Sequence, residues 1–384
     1  MTHAPILVVA AGGTGGHLFP AEALAREMKD RGFAIHLVTD ERGESFAGEF
    51  PADEVHMTPA ATFAGRGPAG KIKAILTIAG GTGKAGQVLK KLSSFVTIGF
   101  GGYPSLPTMS AAIRQRRPTA LHEQNALLGR VNKLYASKVG LVACGFNELR
   151  GLKARDEGKA FVVGNPVRPA VLVARAGRYE APHPDDPFRL LVFGGSQGAR
   201  VFGAIVPEAL AGLDEALRRR LVVTQQCRPE DIEAVRSTYE AAGIAHDLAT
   251  FFSDLPARMA ASHLVIGRAG ASTISELAVI GRPSILVPLP GAMDDHQTVN
   301  ARFLLEVGGA VLCPEAGFTP ASLREKVMPY LRDASPLAAM ALAAAGQGRP
   351  QAAKTLADLL IALGEAKPLP AATLSTVHST KEGK

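Results

Sequence analysis

The 384-residue sequence predicts an α/β protein made of two doubly wound halves, each with a parallel sheet. Three observations carry this reading. Short apolar runs alternate with helical patterns along the chain, as they do where helices cover parallel sheets. A strand, glycine turn and helix open each half, at ILVVAAGGTGG (6–16) and again at LLVFGGSQGAR (190–200). The length suits two domains of ordinary size, each with ample core.

Taken in order, ILVVA is a first strand. No basic residues precede it, so the run does not read as a secretory leader. PAEALAREMKDRG (20–32) reads as a Pro-led helix closed by Gly32. FAIHLVT is the next strand. FVTIGFGGYPS repeats the strand and glycine turn at Gly101 and Gly102, and ALHEQN and LVACG add two strands to the same half. VGNPVRP, around residue 164, marks the crossing between halves, and YEAPHPDDPF is surface loop. FRLLVF, RLVVTQQ, HLVIGRAGAST and PSILVPLP supply the strands of the second half. The expected domains are therefore 1–163 and 164–340. An Ala/Leu-rich helical stretch, Ala338 to Leu363, is expected to pack back on the first domain over about 341–363. A disordered tail is expected at 364–384. Ligands of such sheets lie outside the carboxyl ends of the strands, so the two halves are expected to face a shared cleft.

Composition excludes several classes. With 47% hydrophobic and 20% charged residues the chain is a soluble globular protein. It has no Trp and only 5% aromatics, which leaves no stacking surface for single-stranded nucleic acid. No apolar run reaches the ~18 residues that span a bilayer. Cys144, Cys227 and Cys313 stand far apart and read as buried thiols in a reducing cytoplasm. The net charge of +7 is uneven: Asp and Glu are absent between Val55 and His122, where nine basic residues stand. Lys71, Lys73, Lys84, Lys90 and Lys91 are interleaved there with Ile72, Ile75 and Leu76. The pattern fits a solvated basic face. It also fits docking on an anionic membrane, where each basic group gains roughly 1 kcal/mol and apolar side chains dip below the headgroups.

The glycine turns carry the chemistry. Gly12 to Gly16, Gly101 to Gly102, Gly194 to Gly198 and GRAGAST (267–273) each end a strand. Glycine lets backbone N–H groups approach a ligand, and the helix behind offers its positive end to an anion. Four such turns favour a ligand with phosphates. The first is neither a Walker loop nor a dinucleotide fingerprint, since His17 and Leu18 follow its last glycine. Glu276, one helical turn beyond GAST, suits the two hydroxyls of a ribose; the alternative is an acid that favours the helix dipole. MDDHQ (293–297) cannot converge on one ion, and HEQNA (122–126) lacks the second His of a zinc helix. No Asp-x-Asp is present. No metal and no other cofactor are expected.

Together GGTGGHLFPAEALA, GFGGYPS, HEQNALLGRVNK, GNPVR, GGSQGAR, GRAGASTISELA and DDHQTVNA resemble the motif series of the MurG family of glycosyltransferases. The resemblance implies the GT-B fold of two Rossmann-like domains. It implies transfer of GlcNAc from UDP-GlcNAc to lipid I, giving lipid II, at the cytoplasmic face of the bacterial inner membrane. Other cell-wall synthesis and division proteins are implied as partners, and nucleic acid is not. By the same resemblance Thr14, Gly15 and Gly16 lie near the donor sugar and the acceptor diphosphate, and Asn125 contacts the donor sugar. Arg168 and Ser196 lie near the donor diphosphate, and the backbone at Phe252 faces uracil. Ala271, Ser272, Thr273, Ile274, Ser275 and Glu276 hold phosphate and ribose, with Glu276 on the diol, and Gln297 reads the sugar. Gly101, Gly102, Tyr103, Gln197 and Arg268 complete the expected substrate-binding set. The acceptor hydroxyl must lose a proton, and a neutral imidazole suits that task. His17 is the candidate base; the alternative is a hydrogen bond from His17 to the acceptor or to the turn.

Overall fold

The computed structural model describes residues 4–13, 15–41, 43, 50–61, 67–195 and 198–369, with only the backbone of Pro68, Lys71 and Met293. Thr14, Ser196, Gln197 and the tail beyond 369 lie outside the described residues. The chain divides into two units, Met1–Arg168 with Arg349–Lys384, and Pro169–Gly348.

The buried apolar runs of unit 1 form a seven-stranded parallel sheet. Its strands are β1 (Ile6–Ala10), β2 (Ala34–Thr39), β3 (Glu54–Met57), β4 (Val96–Gly99), β5 (Thr119–Glu123), β6 (Leu141–Cys144) and β7 (Ala160–Val162). They run in the order β3-β2-β1-β4-β5-β6-β7. The winding therefore reverses between β1 and β4, where open α/β sheets bind ligands. On one face Leu7, Val9, Ile98 and Phe100 pack with the helix Gly15–Asp30 and with Leu356, Leu359 and Leu360 of the helix Ala352–Gly364. On the other, Val8 and Val38 pack with Ala85 and Leu89 of the helix Pro68–Leu92 and with Ala111 and Ala112 of the helix Gly102–Arg114.

Unit 2 repeats the plan with six parallel strands. These are β8 (Phe188–Phe193), β9 (Leu221–Gln226), β10 (Ala245–Ala249), β11 (Leu264–Gly267), β12 (Ser284–Leu286) and β13 (Ala310–Leu312), in the order β10-β9-β8-β11-β12-β13. Its switch point lies between β8 and β11. Phe202, Val206, Leu323 and Val327 cover Leu190, Val192, Val223 and Ile266. Both units are thus the parallel-sheet α/β domains expected, and all three cysteines are buried thiols.

Three boundaries differ from the sequence reading. The first helix starts at Gly15, and Pro20 lies inside it. The proline is still near enough to the start that only the Gly16 carbonyl loses its helical partner. The stretch 338–363 is two helices, Ser335–Gly346 and Ala352–Gly364, and only the second joins unit 1. The break has a cause: a side chain at Gly348 would lie 2.7 Å from the Ala278 carbonyl oxygen, and Pro350 cannot donate to a helix. The crossing falls after Arg168 rather than after 163. The reason is local, since the Gly164 carbonyl and the Asn165 amide are hydrogen-bonded to β5 and its following turn.

Candidate active site

In unit 1 three turns at the carboxyl ends of β1, β4 and β5 converge on His17. Gly13 has φ +88°, open in practice to glycine alone, and a Cβ at Gly12 would meet Pro104 and Thr39 at 2.8 Å. This tight turn delivers the chain into the helix Gly15–Asp30, so Gly15, Gly16 and His17 form its first turn. There the backbone N–H groups have no helical acceptors and the dipole is positive. Gly101 and Gly102 also have positive φ, 81° and 70°, and a Cβ at Gly102 would lie 3.4 Å from Nε2 of His17. The two glycine turns of unit 1 therefore meet at one imidazole. Tyr103 follows in the helix Gly102–Arg114.

The other ring nitrogen of His17 begins a chain of hydrogen bonds with a fixed direction. Gln124 Oε1 lies 2.8 Å from His17 Nδ1. Its Nε2 lies 2.9 Å from His122 Nδ1 and 2.9 Å from the His122 carbonyl oxygen. A carbonyl only accepts, so the end of Gln124 facing it is the NH2 group and the end facing His17 is the oxygen. His17 must then carry its proton on Nδ1, and its Nε2 presents a lone pair beside Gly102. His122 Nδ1 accepts from Gln124, so its Nε2–H donates to the Gly164 oxygen at 3.1 Å. Burial pushes His122 down to about 4 against the pull of that carbonyl, which keeps the ring neutral. His122 braces this chain from the core, where it is fully buried.

Glu123, also buried, shapes the next turn. Its carboxylate accepts from the backbone N–H groups of Asn125 and Gly129 and from Asn132 Nδ2, at 3.1, 2.8 and 2.8 Å. Asn125 is held by Glu123 through its side chain as well, at 3.3 Å. Arg168 stacks on Phe19, 4.5 Å from the ring centroid, one helical turn from His17's own start of helix. It therefore belongs to unit 1 and not to the second half, where the sequence reading had placed it.

In unit 2 the helix Ala271–Ile280 begins at Gly270, beside the switch point. Its first turn, Ala271, Ser272 and Thr273, presents backbone N–H groups. The Ser272 hydroxyl is buried and has no hydrogen-bond partner among the described residues. A buried donor at a positive helix end is the arrangement an anion completes. Glu276 is buried one turn on. Beside it, Ile274 lies in the core, and Ser275 Oγ donates to the Ala271 carbonyl at 2.8 Å. Arg268 is likewise committed. Its Nη1 donates to the carbonyls of Val287 and Pro288 at 3.1 and 3.2 Å and pairs with Glu315 at 2.5 Å. It braces the turn after β12. Gln297 Oε1 accepts from Ala269 and Leu289 N–H, at 3.2 and 3.0 Å, so any sugar hydroxyl it reads would meet Nε2. Phe252 is buried under Arg258, 4.2 Å above its ring, which leaves its backbone as the part able to meet a base.

Sequence reasoning missed the braces: Glu123, Gln124, Asn132, Gln226 and Asn300. Gln226 holds the β8 turn, accepting from Gly194 N–H at 3.0 Å and donating to the Gly195 carbonyl at 2.9 Å. Asn300 donates to the Ala269 carbonyl at 3.3 Å. Gln225 and Gln226 close β9 as a buried amide pair, and that polar end to an apolar strand is the signal that could have exposed one of them.

The basic segment is the helix Pro68–Leu92. Ile72, Ile75 and Leu76 are 61%, 57% and 67% exposed. At about 100° per residue, Ile72, Leu76, Ala79, Gly83 and Lys90 share one outward stripe. Lys73, Lys84 and Lys91, all exposed, fall in a row along its edge. No helix among the described residues is long and apolar enough to cross a membrane.

Comparison with known proteins agrees with this architecture. Residues 7–143 match the glycosyltransferase family 28 N-terminal domain, and residues 189–356 match the family 28 C-terminal domain. The UDP-N-acetylglucosamine–N-acetylmuramyl-(pentapeptide) pyrophosphoryl-undecaprenol N-acetylglucosamine transferase of Rhodospirillum rubrum is 51% identical over 95% of this chain and 94% of its own. Its namesake in Rhodospirillum centenum is 51% identical over 94% of this chain and 95% of its own. The crystal structure of Acinetobacter baumannii MurG superposes with a TM-score of 0.75 at 28% identity, covering 93% of this chain and 99% of that one. With two parallel-sheet domains, both family 28 modules in order and relatives matched nearly end to end, the chain belongs to the MurG family of glycosyltransferases.

Proposed function

We propose that this chain transfers GlcNAc from UDP-GlcNAc to a muramyl hydroxyl of lipid I, forming lipid II. It acts as a peripheral enzyme on the cytoplasmic face of the inner membrane. The observation that carries the mechanism is the direction of the hydrogen bonds from Gly164 through His122 and Gln124 to His17. That direction leaves His17 Nε2 as a lone pair at the switch point of unit 1. Nε2 takes the proton from the attacking hydroxyl while Nδ1–H stays bonded to Gln124, which stabilises the imidazolium as it forms. Attack on the anomeric carbon from the face opposite UDP inverts it.

Unit 2 supplies the donor site. The first turn of Ala271–Ile280 and the Ser272 hydroxyl stabilise the diphosphate as it gathers charge, with no metal. Glu276 accepts from the ribose diol, and Gln297 donates to the sugar. The stripe of Ile72 and Leu76 with the row of Lys73, Lys84 and Lys91 is the membrane face, where lipid I is met.

The test is turnover on a soluble lipid I analogue. His17→Ala should lower kcat by about 10²–10⁴ while UDP-GlcNAc binding, by calorimetry, stays near wild type. That pattern marks an interaction made only in the transition state. A variant with nearly normal kcat and a raised KM for the acceptor would make His17 an acceptor ligand and leave the base elsewhere.

A further inference from the structure

A second cluster of chemistry lies away from these turns, on β2 and the edge strand β3. The parallel register sets His36 against Glu54 and Val38 against His56. With a side-chain period of two, His36, Glu54 and His56 stand on one face of the sheet. His36 Nδ1 lies 3.0 Å from His56 Nε2 and 3.6 Å from Glu54 Oε2. Glu54 Oε1 lies 3.7 Å from His56 Nδ1. One donor atom from each residue can be chosen so that all lie within 4.8 Å of one another. Among the described residues this is the one group of three or more His, Cys, Asp or Glu that meets that condition.

We propose that His36, Glu54 and His56 bind a zinc-like divalent transition metal that staples the edge strand β3 to β2. Two distances support it. A tetrahedral ion with bonds of about 2.0–2.1 Å holds its donor atoms ~3.3 Å apart, and the 3.0 and 3.6 Å separations at His36 Nδ1 bracket that value. Two imidazoles and one carboxylate select zinc, copper or nickel over magnesium or calcium, which prefer oxygen alone. Three protein donors leave a fourth position for water, as Glu54 is exposed and His56 half-buried.

The protonation balance is simple. The two rings now share one proton in an N–H···N bond; on binding, that proton moves to the far nitrogen of its ring and the metal takes its place. Burial lowers His56 against the pull of Glu54, which favours the neutral, ligating ring. His36 and Lys91 repel charge there, and Asp53 senses His36 from the neighbouring position. Lys91 therefore weakens binding of any cation. The edge position gives the site a purpose: β3 pairs on one side only, and such a strand has few hydrogen bonds to hold it.

The experiment titrates zinc chloride into the full chain, stripped with chelator, by calorimetry and by thermal melting. One equivalent should bind with micromolar affinity and raise Tm, and magnesium should do neither. Glu54→Gln, at an exposed position that leaves the fold alone, should weaken zinc on the order of 10-fold or more, and His56→Ala should abolish both effects. Lys91→Gln should tighten it. Cobalt should give the visible bands of a tetrahedral ion in wild type and not in His56→Ala. Zinc binding that is the same in wild type, Glu54→Gln and His56→Ala would overturn the proposal, as would no zinc binding at all.

Discussion

At the scale of single residues, the informative one is Gln124. Its two ends differ chemically, and the two backbone carbonyls at His122 and Gly164 decide which end faces which ring. Gln124→Met keeps the shape but can neither accept from His17 nor donate to His122. We expect kcat to fall about tenfold with the donor KM little changed, and stability to drop by ~1–3 kcal/mol, the cost of buried groups left unpaired. Gln124→Glu separates this role from a merely structural one. A carboxylate beside His17 favours the imidazolium, so the acid limb of the kcat profile should move to higher pH. An acid limb in the same place as in wild type would uncouple Gln124 from the base. None of this was legible in the sequence. HEQN reads as a strand end, and its partner His17 stands 107 residues away; only the fold brings them together. The glycine turns and the GAST helix start were legible, because backbone conformation and helix polarity are written locally.

Among the elements, the strands that the sequence pattern revealed are the central ones. β1, β2, β4, β5, β6, β8, β9, β11 and β12 are apolar runs, as parallel strands covered on both faces must be. The four it did not reveal, β3, β7, β10 and β13, are the four edges of the two sheets. Three of them, β3, β10 and β13, are partly exposed, and β7 has only three residues. An edge strand needs less apolar sequence and so leaves a weaker trace. The helix Pro68–Leu92 was obscured for another reason, since Gly80, Gly81, Gly83 and Gly86 imitate a loop. Only some of these glycines are required. A Cβ at Gly81 would collide with the Pro59 carbonyl oxygen, whereas Gly80 and Gly83 have nothing within 4 Å. Gly80→Ala and Gly83→Ala should each stabilise the protein by up to ~1 kcal/mol, and Gly81→Ala should destabilise it by about 1–3 kcal/mol. Urea midpoints that move together for all three would refute this account of the helix.

For the whole molecule, acid is the sharpest stress. Each unit holds a histidine kept neutral in its core: His122 in the first and His263 in the second, both pushed down to about 4, foremost by burial. Released by unfolding, each titrates near 6.5. Between those values the unfolded chain binds protons that the folded chain refuses. Stability is therefore full above about pH 6.5 and declines as the pH falls toward 4. For the fully buried His122 the loss approaches 3 kcal/mol, at ~1.4 kcal/mol per pH unit; for His263, nearer the surface, it is smaller. Denaturant unfolding at pH 7.5 and pH 5 measures this, and His263→Gln should flatten the slope for unit 2. Equal stability at the two pH values would mean that neither ring is held neutral.

The return of the chain from Gly348 to unit 1 has a consequence for biosynthesis. The sheet of unit 1 is covered on one face by Leu356, Leu359 and Leu360, which leave the ribosome after the whole of Pro169–Gly348. Pro169–Gly348 is one uninterrupted segment and has all its core residues before that helix emerges. At typical elongation rates the nascent first sheet waits roughly 10–40 s for its final helix, with apolar surface open to chaperones or to other nascent chains. The half begun first is the half completed last.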